Sequence, residues 1–379
     1  MSQDIRPFRL DVPQEQLDDL VRRIDLTRWP EKETVSDWTQ GVPLAALREL
    51  VSYWRDDYDW RACEAWLNET GQFVTEIDRL DIHFLHVRSR HENATPLVMT
   101  HGWPGSVMEF RAVVGPLTDP EAHGGRAEDA FHLVLPSLPG FAFSGKPAGT
   151  GWGVERIARA WGMLMERLGY SRWVAQGGDW GSAVTTAIGV MKLPGCTGIH
   201  LTMPIARPEP GDMTAPGPDE LRALGALQHY QEWDSGYSTQ QRTRPQTIGY
   251  SLVDSPVGLA AWIYEKMWAW TDNDGKPEDA LSRDAVLDNI MLYWLPATGA
   301  SSARLYWESF GSFAPKNVEL PVAVSAFPKE IIPAARKWCE RVFPGLVHWG
   351  DMERGGHFAA WEQPGNFVAE LRTAFAAMR

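Results

Sequence analysis

The sequence has few cysteines, no long apolar run and no excess of positive charge. Its three cysteines, Cys63, Cys196 and Cys339, are far apart, so we expect a reducing cytoplasm and no disulfide framework. No stretch approaches the roughly 18–20 apolar residues of a membrane span, and the first residues lack the apolar core of a signal peptide. The formal net charge of −13 disfavours nucleic acid and anionic membranes as partners. These features indicate a soluble protein without a membrane anchor.

Metal ligands in a chelating pattern are also missing. No Cys-x-x-Cys occurs, and His83 and His86 stand three apart in a strand-like run, so they should point to opposite faces. We therefore expect neither a metal ion nor another cofactor.

Residues 1–92 are patterned differently from the rest of the chain. Apolar residues at helical spacing predict helices over 12–24, 42–54 and 60–67. Alternating segments at 73–77 and 82–87 then predict two strands joined by a short turn. This region is expected to be a helical extension that leads into a first hairpin.

Residues 93–203 alternate strand, loop and helix. Strands are predicted at 97–100, 131–135 and 173–176, with one helix from after residue 106 to about residue 117 and another over 154–168. Residues 204–312 interrupt this alternation and are predicted to form an inserted helical cap. Residues 313–379 resume the alternation, with strands at 321–327 and 346–349 and a helix between them at 333–342. The fold class is therefore α/β, with a mainly parallel sheet covered by helices on both faces.

The main candidate for chemistry is Asp179. It lies in Gly177-Gly178-Asp179-Trp180-Gly181-Ser182, between a predicted strand and a predicted helix. Small residues two positions away on each side permit the sharp turn that lifts one side chain clear of the backbone. A carboxylate nucleophile there would form an alkyl ester, which narrows the chemistry to opening epoxides or displacing halides.

The candidate base is His357, which follows the last strand behind two glycines that allow a tight loop. The candidate acid that orients it is Glu330, directly after the strand at 321–327. Asp351 and Glu353 are nearer to His357 in sequence, but they share its loop and are expected to be solvated. The order nucleophile, acid, histidine fits a strand-to-helix nucleophile turn.

The loop His101-Gly102-Trp103-Pro104 follows the first strand of the core. In this architecture that loop and the residue after the nucleophile supply the oxyanion-hole amides, here those of Trp103 and Trp180. The Trp103–Pro104 bond is a candidate cis peptide. The chain has 19 tryptophans, and we expect a minority of the aromatic residues, including Trp103, Trp180 and Phe141, to line an apolar substrate pocket.

Four motifs together resemble the microsomal-type epoxide hydrolases of the α/β-hydrolase superfamily. They are His-Gly-Trp-Pro-Gly-Ser (101–106), Pro-Gly-Phe-Ala-Phe-Ser (139–144), Gly-Gly-Asp-Trp-Gly-Ser (177–182) and Gly-Gly-His-Phe-Ala-Ala (355–360). The N-terminal extension also resembles that of this branch, so the likeness covers almost the whole chain. The acid of the family follows a Phe-Pro-Lys segment, which supports Glu330. The mammalian membrane anchor has no counterpart, as in soluble bacterial-type members.

The resemblance also implies two cap tyrosines that open the epoxide ring. The segments around Tyr237 and Tyr306 match the motifs of the family, and a phenol can donate a hydrogen bond or a proton to a leaving alkoxide. The expected activity is conversion of an aryl or other bulky apolar epoxide and water to a vicinal diol. A homodimer is the candidate assembly. The alternatives are a haloalkane dehalogenase and a non-catalytic small-molecule receptor on the same fold.

Overall fold

A computed structural model of the protein describes residues 4–378 and has one large sheet at its centre. Its strands are β1 (Arg6–Pro7), β2 (Gln72–Ile77), β3 (Leu80–Val87), β4 (Thr95–Thr100), β5 (Phe131–Pro136), β6 (Trp173–Gly177), β7 (Cys196–Leu201), β8 (Val322–Ala326) and β9 (Leu346–Asp351). They are ordered β1-β2-β3-β5-β4-β6-β7-β8-β9. From β5 to β9 all neighbours are parallel, whereas β1, β2, β3 and β5 pair antiparallel.

The helices cover this sheet and form a separate layer above one edge. They are α1 (Gln14–Asp25), α2 (Leu44–Asp56), α3 (Trp60–Thr70), α4 (Arg111–Thr118), α5 (Val154–Arg167), α6 (Asp179–Met191), α7 (Pro218–His229), α8 (Gly236–Thr243), α9 (Pro245–Asp254), α10 (Pro256–Trp270), α11 (Arg283–Trp294), α12 (Gly299–Ser309), α13 (Arg336–Val342), α14 (Ala359–Glu362) and α15 (Pro364–Ala376). Every residue of β5 and β6 is buried, as expected for parallel strands with helices on both faces. The predicted fold class is confirmed.

Two strands were not predicted. Strand β7 contains Gly198, which weakens its pattern as a strand, and it is fixed by pairing with β6 and β8. Strand β1 has only two residues and pairs with β2. The helix expected after residue 106 begins as a tighter 3-10 turn over Val107–Phe110, whose first turn is capped by the Ser106 hydroxyl, before α4 continues it.

The cap is formed by α7 to α12, which lie between β7 and β8 in the chain. The N-terminal helices pack against it: Arg23 on α1 donates to the carbonyl of Asp254 at 2.9 Å, and the Tyr58 hydroxyl donates to Asp288 at 2.7 Å. Because β2 and β3 belong to the main sheet, the extension is joined to the core as well. The division of the chain at residues 92, 203 and 312 stays a prediction.

Cys63, Cys196 and Cys339 are buried free thiols. Among residues 4–378, none of the helices combines the length and the apolar character that crossing a membrane requires.

Candidate active site

The nucleophile turn lies where β6 ends and α6 begins. Asp179 is buried and has a φ of +49°, a left-handed conformation that a residue with a side chain rarely adopts. A Cβ added at Gly178 would lie 2.6 Å from the hydroxyl of Thr202, and one at Gly181 would overlap the carbonyl of Thr100. Only small residues therefore fit around Asp179, and this close packing holds its carboxylate at the carboxyl end of the central strands.

His357 connects Asp179 to Glu330 in a buried row. Its Nε2 lies 3.4 Å from Oδ2 of Asp179, and its Nδ1 lies 2.8 Å from Oε1 of Glu330. Burial alone would lower the pKa of His357, but the two carboxylates outweigh burial and hold that pKa well above its usual range. In the free protein the imidazole is therefore a cation between two carboxylates.

The acid beside the histidine is Glu330 and not one of the residues nearer in sequence. Glu330 also accepts a hydrogen bond from the Ile332 amide at 3.2 Å, which fixes its position at the end of β8. Asp351 and Glu353 are both exposed, and Asp351 accepts a hydrogen bond from the indole of Trp349 at 2.8 Å. The structure thus places Glu330 against His357 and leaves the other two carboxylates at the surface.

The loop after β4 brings an amide to the nucleophile. The Trp103 amide donates to Oδ1 of Asp179 at 2.8 Å, and the Trp103–Pro104 bond is cis. A Cβ at Gly102 would overlap the Asp179 carboxylate, so this approach requires glycine at position 102. Trp180 occupies the first turn of α6, where amides have no partner within the helix, so its N–H is available as a second donor.

The two cap tyrosines lie over Asp179. Tyr237 on α8 and Tyr306 on α12 are both buried, with ring centroids 5.7 Å apart. Burial raises both phenol pKa values well above the ordinary one, and the charge of Asp179 raises them further. The hydroxyl of Tyr237 lies 3.2 Å from that of Tyr230, whereas the hydroxyl of Tyr306 has no hydrogen-bond partner in the described part of the chain. At neutral pH both phenols are protonated donors.

A cavity of about 430 Å³ opens between the cap and the sheet. Its wall includes the candidate nucleophile Asp179 together with Tyr237 and Tyr306. Most of the remaining wall is apolar, including Met203, Leu227, Phe313, Ile331 and Ile332.

The predicted aromatic lining differs from this wall. Trp180 lies behind it, with its ring 4.8 Å from that of Tyr306 and 4.6 Å from that of Phe313. Phe141 is fully buried against His101, at 5.5 Å between ring centroids, and does not line the cavity. Trp103 stacks on Tyr237 at 4.9 Å. These three rings fill the space between the core loops and the cap. They therefore pack against the catalytic residues without lining the 430 Å³ cavity.

A second cavity, of about 20 Å³, lies on the other side of Asp179. Its lining includes His357, Glu109 and Gln176, and the side-chain oxygen of Gln176 has no hydrogen-bond partner among residues 4–378. This volume is enough for one water molecule. Burial and the nearby Asp179 raise the pKa of Glu109 to about 8, although His357 partly offsets them.

Sequence reasoning missed Glu109. An acidic residue inside the apolar run Val107–Phe110 was the only signal that could have indicated a buried carboxyl there. The 3-10 turn Val107–Phe110 packs against the loop that carries His357, and this packing sets the position of Glu109 beside the catalytic residues.

Sequence reasoning also missed the residues that hold the loop carrying His357 in place. The His357 amide donates to the carbonyl of Trp270 at 2.9 Å, and the Trp270 indole lies 5.1 Å from the imidazole. Asp234 accepts from the Trp270 indole at 2.6 Å. Glu362 accepts from the amides on both sides of His357, at 3.0 Å each, and burial raises its pKa to about 7. The cap thus fixes the position of the histidine in the core.

Among residues 4–378, no three or more histidine, cysteine, aspartate or glutamate side chains are grouped so that they could hold a metal ion. Independence from metals and other cofactors stays a prediction.

Comparison with known proteins adds to this geometry. Residues 5–110 match a family described as "Epoxide hydrolase N terminus", and residues 95–222 match one described as "alpha/beta hydrolase fold". A Stigmatella aurantiaca protein named provisionally as an epoxide hydrolase is 57% identical, over 99% of this chain and 86% of its own length. Epoxide hydrolase 1 of Sus scrofa is 36% identical, over 98% of this chain and 88% of its own. The structure of the Aspergillus niger epoxide hydrolase superposes with a TM-score of 0.89 at 32% identity, covering 99% of this chain and 97% of that one.

Proposed function

The chain belongs to the epoxide hydrolase family of the α/β-hydrolase fold and is an enzyme of that kind, and on this premise we propose that Asp179 opens the epoxide as a covalent nucleophile. The observation that carries the proposal is the convergence of three kinds of group on one carboxylate. The Trp103 amide binds one oxygen of Asp179, His357 lies beside the other, and Tyr237 and Tyr306 face it across the cavity.

In the first step, an oxygen of Asp179 attacks one carbon of the three-membered ring. The bond from that carbon to the ring oxygen breaks, and the oxygen leaves as an alkoxide that needs hydrogen bonds and a proton. Tyr237 and Tyr306 are protonated at neutral pH and lie on the cavity wall with Asp179, so they supply both. The product of this step is an alkyl ester on Asp179.

Ester formation changes the electrostatics around the histidine. Asp179 loses its negative charge, so one of the two carboxylates that raise the pKa of His357 no longer acts. The pKa of His357 falls, so the imidazolium gives up its proton, which passes through solvent to the phenol that was ionised in the first step. The imidazole is then a neutral base that is still oriented by Glu330 at 2.8 Å. The base is therefore activated only after the nucleophile has reacted.

In the second step, His357 takes a proton from water, which attacks the carbonyl carbon of the ester. We assign this water to the 20 Å³ cavity, because His357 and Asp179 both line it and the side-chain oxygen of Gln176 can accept a hydrogen bond from it. Glu109 is protonated at neutral pH and borders the same cavity, so it can donate to this water without adding charge. The amides of Trp103 and Trp180 bind the developing oxyanion. Its collapse breaks the bond between the carbonyl carbon and the alkyl oxygen, the leaving oxygen takes the proton of the carboxyl group so formed, and the vicinal diol and the Asp179 carboxylate are released.

The apolar part of the large cavity supports a bulky apolar substrate, such as an aryl epoxide. Leu227, Phe313, Ile331 and Ile332 would contact the body of such a molecule while its ring oxygen faces the tyrosines. Homodimer formation and a cytoplasmic location stay predictions.

The two alternatives raised by the sequence are supported less well. A haloalkane dehalogenase needs N–H donors for halide and no phenols, whereas here two buried phenols flank the nucleophile. A receptor without activity has no need for the hydrogen-bonded row of His357, Glu330 and Asp179, and the relatives reported above are named as epoxide hydrolases.

A single turnover in heavy-oxygen water tests the covalent step. With enzyme in excess over styrene oxide, the label should enter the carboxylate of Asp179, and the first diol released should carry unlabelled oxygen. Mass analysis of the Asp179 peptide and of the diol measures both. Label in that first diol would show direct attack by water and refute the ester.

A further inference from the structure

The wall of the 430 Å³ cavity carries an unusual charge pattern for so acidic a protein. The sequence has 49 acidic and 36 basic residues, yet Asp179 is the only carboxylate in the lining, which contains two arginines, Arg207 and Arg242. The two cations are therefore not explained by the general composition of the surface.

Arg207 lies in the segment between β7 and α7, is half-buried and forms no ion pair within residues 4–378. Two acids in its own segment, Glu209 and Asp212, pair instead with Arg341, at 3.5 and 2.7 Å. Burial lowers the pKa of Arg207, and no carboxylate offsets that effect. A partly desolvated cation without a counter-ion is costly, so a ligand with a negative group would relieve that cost.

Arg242 lies on α8 and is exposed, with its guanidinium held over an aromatic ring. The guanidinium carbon is 5.2 Å from the centroid of Phe310, which also lines the cavity. Arg242 likewise has no ion pair in the described part of the chain. Tyr237 is five residues earlier on the same helix, so the two positions are about 7.5 Å apart along its axis.

We propose that Arg207 and Arg242 form an anion subsite of the substrate cavity, so that the preferred epoxide carries a carboxylate at the far end of its apolar body. This inference rests on the proposed function. A guanidinium suits a carboxylate because its planar set of N–H donors matches the two oxygens. Because Arg207 is half-buried, this attraction is stronger at its guanidinium than it would be in water. The helix spacing places the carboxylate several carbon atoms away from the ring oxygen.

The test compares two matched series of terminal epoxides on unbranched saturated chains. One series ends in a carboxylate and the other in the uncharged primary amide, and each covers several chain lengths. We expect the wild-type protein to have a kcat/KM at least about tenfold higher for the acid at the best chain length, since a hydrogen bond to a charged group is worth that much or more. This preference should shrink as salt is added.

Three variants test whether Arg207 and Arg242 cause the preference for the acid over the amide. Arg207→Gln should lose about tenfold on the acid, mainly through KM. Arg242→Gln should lose less because Arg242 is exposed, and both variants should stay unchanged on the amide. Arg207→Lys should restore part of the loss because it restores the charge. The matched control is Arg222→Gln: Arg222 is an exposed arginine on cap helix α7 that does not line the cavity, so its loss changes the net charge equally.

Equal kcat/KM for acid and amide in the wild type, or the same loss in Arg222→Gln as in the two subsite variants, would overturn the subsite and leave epoxide hydrolysis intact. Failure to turn over either series would count instead against the proposed function. In that event, calorimetry with the matching diol acid and diol amide decides the subsite by binding alone. Tighter binding of the acid that is lost in Arg207→Gln supports it, and equal binding refutes it.

Discussion

Substitution of Tyr306 by phenylalanine isolates the contribution of one phenol hydroxyl to the opening of the epoxide ring. Tyr306 is buried, contacts Trp180 and Trp103, and faces the cavity that Asp179 also lines. Tyr306→Phe keeps the ring and these contacts and removes only the oxygen. In the proposed mechanism, that oxygen acts when the epoxide ring opens and at no other step.

The expected magnitudes follow from this single role. Loss of one donor to a developing oxyanion costs about 2.7–4 kcal/mol, which is roughly a hundred- to a thousandfold in the rate of ester formation. Because the Tyr306 hydroxyl faces a cavity that water can enter, its removal should change the free energy of unfolding by less than about 1 kcal/mol. Tyr237→Phe instead loses the contact of 3.2 Å with Tyr230 and should lose about 1 kcal/mol of stability.

The assay follows ester formation by tryptophan fluorescence after rapid mixing with styrene oxide. Trp103 and Trp180 report on this step because their rings lie 4.9 Å from Tyr237 and 4.8 Å from Tyr306. Urea unfolding of the same variants measures stability. The double variant should be nearly inactive, and hydrolysis of an ester formed beforehand should change far less than its formation.

A wild-type rate of ester formation in both single variants and in the double variant would refute the role of the phenols. It is also what a haloalkane dehalogenase would give with a haloalkane substrate. A loss of stability in Tyr306→Phe of more than about 1 kcal/mol would show that the hydroxyl has a partner in solution.

Two other predictions concern the second half of the reaction. His357→Gln should still form the ester but hydrolyse it slowly, so intact mass after mixing with epoxide should show an adduct on this variant and none on Asp179→Ala; no adduct on His357→Gln would contradict the division of roles. Glu109→Gln should have a higher free energy of unfolding than the wild type, and the difference between the two should widen from pH 5 to pH 8. Burial raises the pKa of Glu109 from 4.5 to about 8, so in that range the unfolded chain has lost a proton that the folded chain keeps, and wild-type stability falls as pH rises. Urea midpoints at the two pH values measure the difference, and an equal difference at both would show that Glu109 is ionised in the folded protein.

The sequence alone determined the fold class and the candidates for the reacting groups, because these depend on local features. Small residues around Asp179 and the glycines before His357 are requirements of turns that a few neighbouring residues form. Glu330 follows a strand directly, and in a parallel sheet the carboxyl ends of the strands meet at one edge. Residues far apart in the chain could therefore be expected to meet there.

Only the tertiary structure decided what surrounds these groups. Glu109 and Trp270 belong to different layers, and their places beside His357 follow from how the first core loop and a cap helix pack together. The same packing puts Trp180 and Phe141 behind the cavity wall and puts Arg207 on it. The cause is physical: a helix or a loop fixes the direction of its own side chains, but the partner that each side chain meets is set by close packing between segments that are remote in sequence.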